Sequence, residues 1–339
     1  MEQKVSQPAI LKGKQMKPST SMRKKTAVLI PCFNEARTIA KTVSDFKAAL
    51  PEAKVYVFDN ASTDDSAALA LASGADVISV PRRGKGNVVR AMFREVDADV
   101  YVMVDGDDTY PAAEVEKLIR PILERSADMV TGDRLSTTYR TENTRPGHSF
   151  GNALVCFLVS LLWDKKVKDV MTGYRAFSRG FVKNCPVMSQ GFEIETEITL
   201  HALDKRFSLL EVPVTYRNRP SGSQSKLKTF KDGFKILGVI FNMFRIYRPL
   251  PFFGFLGSVF LLTGCVFLVP VFLDYFRTGL VPRFPTLIFS TFLLLTGMLS
   301  WVMALVLDAI KKMSDQEYEL RLMDNSESIE SETPPTGGE

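Results

Sequence analysis

The stretch that decides the fold is Val100-Tyr-Val-Met-Val104, which runs directly into Asp105-Gly-Asp107-Asp108. A short apolar run that stops at a carboxylate-rich loop is typical of a buried parallel strand, and ligands of open α/β sheets bind at the carboxyl ends of such strands. Carboxylates crowded on one loop repel each other unless a cation lies between them. Mg2+ or Mn2+, with nucleotide phosphates as co-ligands, suits such oxygens.

Two other interpretations of this loop are open. It is an ordinary solvated turn in the first, because Asp and Gly are frequent turn residues. It is a calcium loop in the second, since Asp105, Asp107 and Thr109 alternate as calcium ligands do and Glu116 stands at the twelfth position. A calcium loop needs glycine at its sixth position, where this chain has Tyr110. The calcium interpretation is therefore disfavoured.

Two apolar stretches of the 339-residue chain, Pro251–Leu273 and Phe284–Leu307, contain no Asp, Glu, Lys, Arg or His. Each is long enough to cross the ~30 Å hydrocarbon core as a helix, which takes about 20 residues. The linker between them is too short for a domain. We therefore expect a transmembrane hairpin over residues 250–312, with two buried core helices as the alternative.

The basic residues near the hairpin predict its orientation, because Lys and Arg near membrane spans favour the cytoplasmic side. Those at the outer ends outnumber those of the linker: Arg245, Arg248, Lys311 and Lys312 against Arg277 and Arg283. No secretory signal is recognisable at the N-terminus, which agrees. We expect a multi-pass protein of the cytoplasmic membrane whose large N-terminal region and both termini are cytoplasmic.

The four cysteines and two histidines show no metal or disulfide spacing. A reduced compartment fits, and any metal is expected to be held by oxygen. The formal net charge of +5 conceals a basic segment, residues 1–25, and an acidic segment, residues 313–339. Both are expected to be disordered and solvated. No nucleic-acid partner is indicated.

From Thr26 onward, apolar runs alternate with segments of helical spacing, which predicts a doubly wound, mostly parallel α/β sheet. The expected strands are Ala27–Ile30, Lys54–Phe58, Val77–Val80 and Val100–Val104, and the expected helices are Ala36–Leu50, Ser66–Ala72 and Gly86–Val96.

Residues 226–249 carry an apolar stripe at helical spacing within a basic segment. The stripe consists of Phe230, Phe234, Leu237, Phe241 and Phe244. A basic amphipathic helix directly before a membrane span is expected to lie among the lipid headgroups. An ordinary helix that covers the sheet is the alternative.

Each expected strand ends in a distinctive loop: Pro31-Cys-Phe-Asn-Glu35, Asp59-Asn-Ala-Ser-Thr-Asp64, Arg83-Gly-Lys-Gly86 and Asp105-Gly-Asp107. Neither a Walker loop nor a dinucleotide fingerprint is present. In this order, the loops resemble those of the family 2 glycosyltransferases, which have a GT-A type fold. The closest resemblance is to polyprenyl-phosphate sugar synthases, such as dolichyl-phosphate mannose synthase and bacterial O-antigen-modifying glucosyltransferases. It covers about residues 26–250, with a catalytic domain over 26–225.

The resemblance implies a role for these loops around a nucleotide sugar. The loops of the first two strands would surround the base and the ribose, and Lys85 would lie near the pyrophosphate. Asp64 has an alternative role as a helix cap. Donor-binding roles are implied for Pro31, Glu35, Asp59, Asp64, Lys85 and Asp105, and metal-binding roles, for Mg2+ or Mn2+, for Asp105 and Asp107.

Gly132-Asp-Arg134 and Asp169-Val-Met-Thr-Gly-Tyr-Arg175 resemble family segments beside the reaction centre. Catalytic roles are implied for Arg134 and Asp169, and Asp169 acts either as a base or as an orienting group. The guanidinium of arginine forms bidentate hydrogen bonds with phosphate oxygens. The residues implied in binding the acceptor phosphate are Arg134, Arg145 and Arg175.

The predicted function is therefore metal-dependent, inverting transfer of a sugar from a nucleotide donor to polyprenyl phosphate at the membrane. UDP-glucose is favoured over GDP-mannose and UDP-N-acetylglucosamine. A processive polysaccharide synthase is disfavoured, because no Q-x-x-R-W segment and no further spans are visible. A non-catalytic membrane scaffold is opposed by the intact Lys85, Asp105 and Asp107. The oligomeric state, including a homo-oligomer, stays open.

Overall fold

A computed structural model of the chain describes residues 24–136, 148–163, 165–218, 238, 240–242 and 244–331. The strands within them are β1 (Thr26–Cys32), β2 (Lys54–Asp59), β3 (Asp76–Ser79), β4 (Val100–Met103), β5 (Met129–Asp133), β6 (Arg175–Ser178) and β7 (Leu209–Pro213). The helices are α1 (Ile39–Ala49), α2 (Ser66–Ala72), α3 (Lys85–Glu95), α4 (Val115–Leu123), α5 (His148–Trp163), α6 (Arg179–Asn184), α7 (Ile194–Asp204), α8 (Pro249–Thr278) and α9 (Phe284–Ser331).

The seven strands form one sheet in the order β3-β2-β1-β4-β6-β5-β7. The first four in this order are parallel, and β6 runs antiparallel to both β4 and β5. The predicted doubly wound, mostly parallel sheet is confirmed. Because β6 is reversed, its first residue, Arg175, lies opposite Met103 of β4 and Thr131 of β5. The segment before β6 therefore meets the loops that follow β1, β2, β4 and β5 at one edge.

Apolar side chains cover both faces of the sheet. In β4, Val100 and Val102 belong to one core cluster, whereas Tyr101 and Met103 belong to the other. Successive side chains of a strand point to opposite faces, so a strand that is buried on both sides must be apolar throughout. This burial explains why Val100–Val104 is a continuous hydrophobic run with its charges confined to the loop beyond it.

Helices α8 and α9 are both long and apolar enough to cross a membrane, by length and composition. They pack closely through small residues: a Cβ on Gly257 would lie 2.9 Å from the carbonyl oxygen of Gly297. The Ser300 hydroxyl also donates a hydrogen bond to the carbonyl of Phe253, at 2.8 Å. Glycine at such a contact lets two helix backbones approach. The two helices form a hairpin where the sequence predicts one, and its crossing of a membrane stays a prediction.

Helix α9 continues well beyond its apolar part, to Ser331. This differs from the prediction that residues 313–339 are disordered. Asp315 forms ion pairs with Lys205, which follows α7, and with Lys311 of its own helix. The Tyr318 hydroxyl donates to the carbonyl of Asn184, at 3.0 Å. Charges that would be solvated on an isolated segment thus have partners on the sheet domain, and these contacts stabilise the helical extension.

Most of the predicted amphipathic helix over residues 226–249 lies outside the described residues, as do residues 1–23 of the predicted basic tail. Residues 240–242 and 244–247 are helical. The rings of Phe241 and Phe244 both contact Phe252 of α8, with centroid distances of 5.0 and 5.4 Å. Part of the predicted stripe is therefore in contact with the first long helix.

Candidate active site

Three charged side chains, which we call the lysine cluster, meet beyond the end of β4. The Nζ atom of Lys85 lies 2.5 Å from Oδ1 of Asp105 and 2.6 Å from Oε1 of Glu195. The Lys85 side chain is only 10% exposed. Burial opposes its charge, but the two carboxylates outweigh burial and hold the pKa of Lys85 above its usual value. The lysine is therefore a buried cation that lies between two anions.

The backbone around Lys85 is held by a close approach of two loops. A Cβ on Gly84 would lie 2.0 Å from the carbonyl oxygen of Gln190, and a Cβ on Gly86 would lie 2.1 Å from that of Ser189. Gly84 also has φ of 123°, a backbone conformation that favours glycine. Arg83-Gly-Lys-Gly86 thus needs both glycines to place the lysine between them.

Other side chains hold this pair of loops. The Asn60 side-chain oxygen accepts a hydrogen bond from the backbone N–H of Gly84, at 2.7 Å. On the opposite side, the Glu197 carboxylate accepts from the backbone N–H groups of Met188 and Ser189, at 2.8 and 2.6 Å. The position of Lys85 is therefore set by Asn60, which directly follows β2, by Glu197 of α7 and by the loop before α7.

Asp107 and Asp108, on the loop after β4, have different surroundings. Asp107 is 2% exposed, and its Oδ1 accepts from the hydroxyl of Thr109 at 2.6 Å. Asp108 forms an exposed ion pair with Lys41, at 2.8 Å. Asp107 is thus held inward, whereas Asp108 faces α1.

Asp105 and Asp107 stay the candidate ligands of a divalent cation. Asp105 and Asp107 supply the hard oxygens that Mg2+ and Mn2+ prefer, and Asp105 already holds the cationic Nζ of Lys85. No group of three His, Cys, Asp or Glu residues within the described ranges is arranged to hold a metal. Phosphate oxygens of a ligand would therefore have to complete the coordination.

The loops after β1 and β2 are tied together by Asp64. Its carboxylate accepts hydrogen bonds from the backbone N–H of Ala36 at 3.2 Å and of Ser66 at 3.1 Å. The Ser66 hydroxyl in turn accepts from the backbone N–H of Glu35, at 2.7 Å. Asp64 and Glu35 thus fix the mouth formed by these two loops. Asp64 thus accepts from the first backbone N–H of α2, as a capping residue does, and also connects α2 to the loop after β1.

Asp59 and Pro31 lie side by side at the carboxyl ends of β2 and β1. In the register of these strands, Pro31 pairs with Phe58 and Cys32 with Asp59. Oδ2 of Asp59 accepts from the backbone N–H of Ser62, at 3.2 Å. Oδ1 of Asp59 is buried with no hydrogen-bond partner among the described residues. A buried acceptor of this kind suits a ligand that donates a hydrogen bond.

Arg134 and Asp169, which we call the arginine pair, form a two-point contact. Nε of Arg134 lies 2.7 Å from Oδ2 of Asp169, and Nη2 lies 2.9 Å from Oδ1. The Asp169 side chain is fully buried and that of Arg134 is 13% exposed. Asp133 fixes the turn beneath them, because its carboxylate accepts from the backbone N–H groups of Leu135 and Ser136. Asp169 thereby orients the guanidinium of Arg134.

Arg175 is not available to a ligand, which corrects the prediction that it binds phosphate. It is completely buried. Its guanidinium donates hydrogen bonds to the carbonyls of Thr172, Val170 and Glu195, at 2.9, 2.6 and 3.0 Å, and to the Thr199 hydroxyl at 2.9 Å. Burial lowers the pKa of Arg175. Its role is to hold the backbone below the site. Arg145 lies outside the described residues.

A single stretch, residues 169–175, touches both charged groups. Asp169 belongs to the arginine pair, whereas Gly173 lies directly against the lysine cluster. A Cβ on Gly173 would be 2.2 Å from Oδ2 of Asp105. Between them, the Tyr110 hydroxyl accepts from the backbone N–H of Gly173, at 3.2 Å, and the Tyr110 ring packs on Tyr216 at 5.5 Å. The lysine cluster and the arginine pair are therefore parts of one site.

Sequence reasoning assigned no role to Glu195 or Tyr110. Glu195 is 5% exposed in a helix whose neighbouring residues are almost all buried. A buried carboxylate must have a partner, but the sequence of this helix, which also carries Glu197, His201 and Asp204, does not indicate burial. Tyr110 carried no signal either, because its contacts come from residues that are distant in sequence.

Comparisons with known proteins identify the class to which this chain belongs. The model of the glycosyl transferase family 2 matches residues 27–185. The chain is 34% identical to the glycosyltransferase AglJ of Haloferax volcanii over 243 residues, which is 70% of this chain and 78% of AglJ. It is 53% identical to the protein RfbJ of Shigella flexneri over 123 residues, which is 36% of this chain and 94% of RfbJ.

A solved structure has a similar fold. Glucosyl-3-phosphoglycerate synthase from Mycobacterium tuberculosis, in complex with Mn2+, UDP-glucose and phosphoglyceric acid, superposes with a TM-score of 0.52. Its sequence is 23% identical, and the match covers 68% of this chain and 85% of that chain. At this identity the likeness shows the fold alone. The chain belongs to the family 2 glycosyltransferases, and its sheet domain has the GT-A fold.

Proposed function

We propose that the protein transfers a sugar, with inversion, from a nucleotide donor to polyprenyl phosphate at the cytoplasmic face of a membrane. One observation carries the proposal: residues 169–175 contact the lysine cluster through Gly173 and include Asp169 of the arginine pair. Two groups whose cations are suited to phosphates are thus adjacent, which supports binding of a donor and an acceptor side by side. UDP-glucose is the favoured donor, and Mg2+ or Mn2+ the favoured cofactor. The complex of the mycobacterial relative with Mn2+ and UDP-glucose supports both choices.

The donor would lie in the mouth between the loops after β1 and β2, with Pro31, Glu35 and Asp59 around its base and ribose. Lys85 would contact the diphosphate. Asp105 and Asp107 would hold the divalent cation, which supplies positive charge to the departing diphosphate. Charge stabilisation of this kind, placed where charge develops, is usually the largest contribution to such catalysis.

The acceptor phosphate would approach Arg134, whose guanidinium Asp169 holds by two hydrogen bonds. A phosphate monoester is largely dianionic near neutral pH, because its second pKa is about 6. It needs positioning more than it needs a general base. We therefore assign Asp169 as the group that orients Arg134. A phosphate oxygen would then attack the anomeric carbon as the nucleoside diphosphate leaves.

Exposed apolar surface supports a membrane location. In α5, which has no Asp, Glu, Lys or Arg, Phe157 is 61% and Leu161 is 67% exposed. The ring of Trp163, at the end of this helix, packs edge-on against Tyr247 at 6.3 Å, directly before α8. Apolar helix surface beside a membrane-length hairpin favours lipid as its environment. A lipid-linked acceptor fits this placement.

The test uses the full chain in lipid nanodiscs with undecaprenyl phosphate, Mg2+ or Mn2+, and a panel of radiolabelled nucleotide sugars. We expect a product that partitions into organic solvent and releases free sugar in mild acid. Asp107→Asn should lower the transfer rate at least about 10²-fold without changing membrane insertion. A long water-soluble polymer would indicate a polysaccharide synthase, and no transfer from any donor would favour a scaffold. Full activity with a chelator present would exclude metal dependence.

A further inference from the structure

Lys85 occupies the position in which a cation beside Asp105 is expected. Its Nζ lies 2.5 Å from Asp105 and 2.6 Å from Glu195. The side chains of Lys85 and Glu195 are 10% and 7% exposed, whereas that of Asp105 is 27% exposed. One positive charge therefore serves two carboxylates, and Asp105 is the more accessible of the two.

A second cation at Asp105 would compete with the lysine. Two like charges at such a short distance repel each other strongly, the more so where water is largely excluded. A carboxylate oxygen that accepts the ammonium at 2.5 Å is also less available to a divalent ion. Tight metal binding to Asp105 therefore requires that Lys85 first move away from it.

We propose that Lys85 is the resident cation of Asp105, that a nucleoside diphosphate draws it away, and that Glu195 is the positioning residue that keeps Lys85 in the site throughout. The divalent cation takes the place of Lys85 at Asp105, and the diphosphate of the nucleotide takes Lys85 as its partner. Each ligand therefore favours the binding of the other, and the two bind cooperatively. This inference rests on the proposed function and deepens its donor half.

The two carboxylates are suited to these different roles. The Glu195 backbone is fixed, because its carbonyl accepts hydrogen bonds from Arg175 at 3.0 Å and from the Thr199 hydroxyl at 2.9 Å. Asp105 lies on a loop beyond the last residue of β4. The close loop contacts at Gly84 and Gly86 hold the Lys85 backbone, so only the side chain can move. Lys85 can thus leave Asp105 and still remain bound to Glu195.

Mn2+ binding measures the competition without any turnover. The full chain in nanodiscs is titrated with Mn2+, and free Mn2+ is followed by electron paramagnetic resonance, alone, with UDP and with GDP. In the wild type we expect at least about tenfold tighter Mn2+ binding with one of the nucleotides, within the usual range of coupling between sites. By linkage, Mn2+ should tighten binding of that nucleotide by the same factor.

Two variants should shift Mn2+ affinity in opposite directions when nucleotide is absent. Lys85→Met removes the competing cation, so Mn2+ should bind about tenfold more tightly, while the nucleotide alone binds more weakly. Glu195→Gln leaves Lys85 to Asp105 alone, so Mn2+ should bind more weakly. A purely structural role for either residue would lower the unfolding temperature without producing opposite shifts. Lys85→Gln is the second variant if Lys85→Met fails to fold.

Lys41→Met is the matched control, because Lys41 forms a 2.8 Å ion pair with Asp108 on the same loop. It should leave Mn2+ affinity unchanged within about twofold, the level of a screened surface charge. The inference is overturned if Lys85→Met behaves like this control, or if the wild type binds Mn2+ equally well with and without nucleotide. Either result leaves sugar transfer in the nanodisc assay intact. Absence of transfer would instead remove the proposed function.

Discussion

The lysine cluster and the arginine pair lie at the same edge of the sheet but differ in charge balance. Two carboxylates share one ammonium in the lysine cluster, whereas one carboxylate meets one guanidinium in the arginine pair. The first group carries a net negative charge and the second is neutral as a pair. The net negative charge of the lysine cluster attracts a further cation, which Asp105 can hold once Lys85 has moved away from it. A balanced, two-point pair can orient a ligand but does not require a metal.

The two groups also differ in which strands and loops of the chain supply their residues. Asp105 lies two residues beyond the end of β4, and Lys85 begins α3, so both come from short motifs beside a parallel strand. The arginine pair joins β5 to the segment before the reversed strand β6. Arg175 stands in that reversed strand, and it proves to be part of the core. The comparison therefore separates the charges that we propose to contact substrates from Arg175, a charge that holds the fold.

The largest expected effect comes from Arg175→Met. Its loss removes the guanidinium donor from the buried carbonyls of Thr172 and Val170 and one of two side-chain donors from that of Glu195, which should cost about 3–5 kcal/mol of folding free energy. In a domain of this size the unfolding temperature should fall by roughly 10 °C, as measured on the detergent-solubilised full chain. Arg179→Met is the control, because Arg179 makes only a half-exposed contact with Asp97, at 3.0 Å. Unchanged stability with weaker acceptor binding would restore the original assignment.

A smaller effect, confined to function, is expected for Gly173→Ala. The new Cβ would meet Oδ2 of Asp105 at 2.2 Å, and a side-chain carboxylate can move aside. The fold should therefore survive, but Asp105 would be displaced. A shift of about 1 Å at a reacting group can cost about 10²-fold in rate, so kcat/KM for transfer should fall by about this factor.

Gly180→Ala is the matched control for this substitution. Its Cβ would find only the Ser178 hydroxyl, at 3.9 Å, and it should leave the transfer rate unchanged. If Gly173→Ala were equally active, the two charged groups would not be coupled through residues 169–175. If instead it unfolded, the carboxylate of Asp105 would be less adaptable than this geometry indicates.

The outcome for Arg175 shows where reasoning from the sequence stops. Loops that follow β1, β2 and β4 could be placed because a parallel strand delivers its carboxyl end to a known edge. Arg175 could not be placed in this way. Successive strand side chains face opposite sides, and which side Arg175 faces depends on how β6 pairs with β4 and β5. That pairing is a long-range property that no local motif encodes.

The same limit applies to the partners of predicted residues. Lys85 was recognised as a site residue, but its contact with Glu195 joins segments that are far apart in sequence. The helical extension of α9 was missed because its charges were read as solvated, whereas Asp315 has partners on the sheet domain and on its own helix. Sequence patterns thus indicated which residues matter in the first half of the chain, and the tertiary contacts determine what each one does.

The smallest expected effect concerns Asp64, which is exposed and tethers the loops after β1 and β2. Partial burial raises the pKa of Asp64, but hydrogen bonds from Ser66 and from the backbone N–H of Ala36 outweigh it and bring the pKa below its usual value of 3.8. A carboxylate with a lowered pKa stabilises the folded state above its unfolded-state pKa. This contribution is therefore present at neutral pH and is lost as the pH falls below about 4.

Asp64→Ala should cost less than about 1 kcal/mol at pH 7, as for a lost helix cap, and the difference from wild type should vanish in acid. Unfolding temperatures of the full chain, measured from pH 7 down to pH 3, test both statements. Asp65→Ala is the control, because the Asp65 side chain makes no capping hydrogen bond. A large rise in KM for the nucleotide sugar, with stability unchanged, would show instead that Asp64 binds the donor directly. The lysine cluster would then not be the main charged contact of the donor.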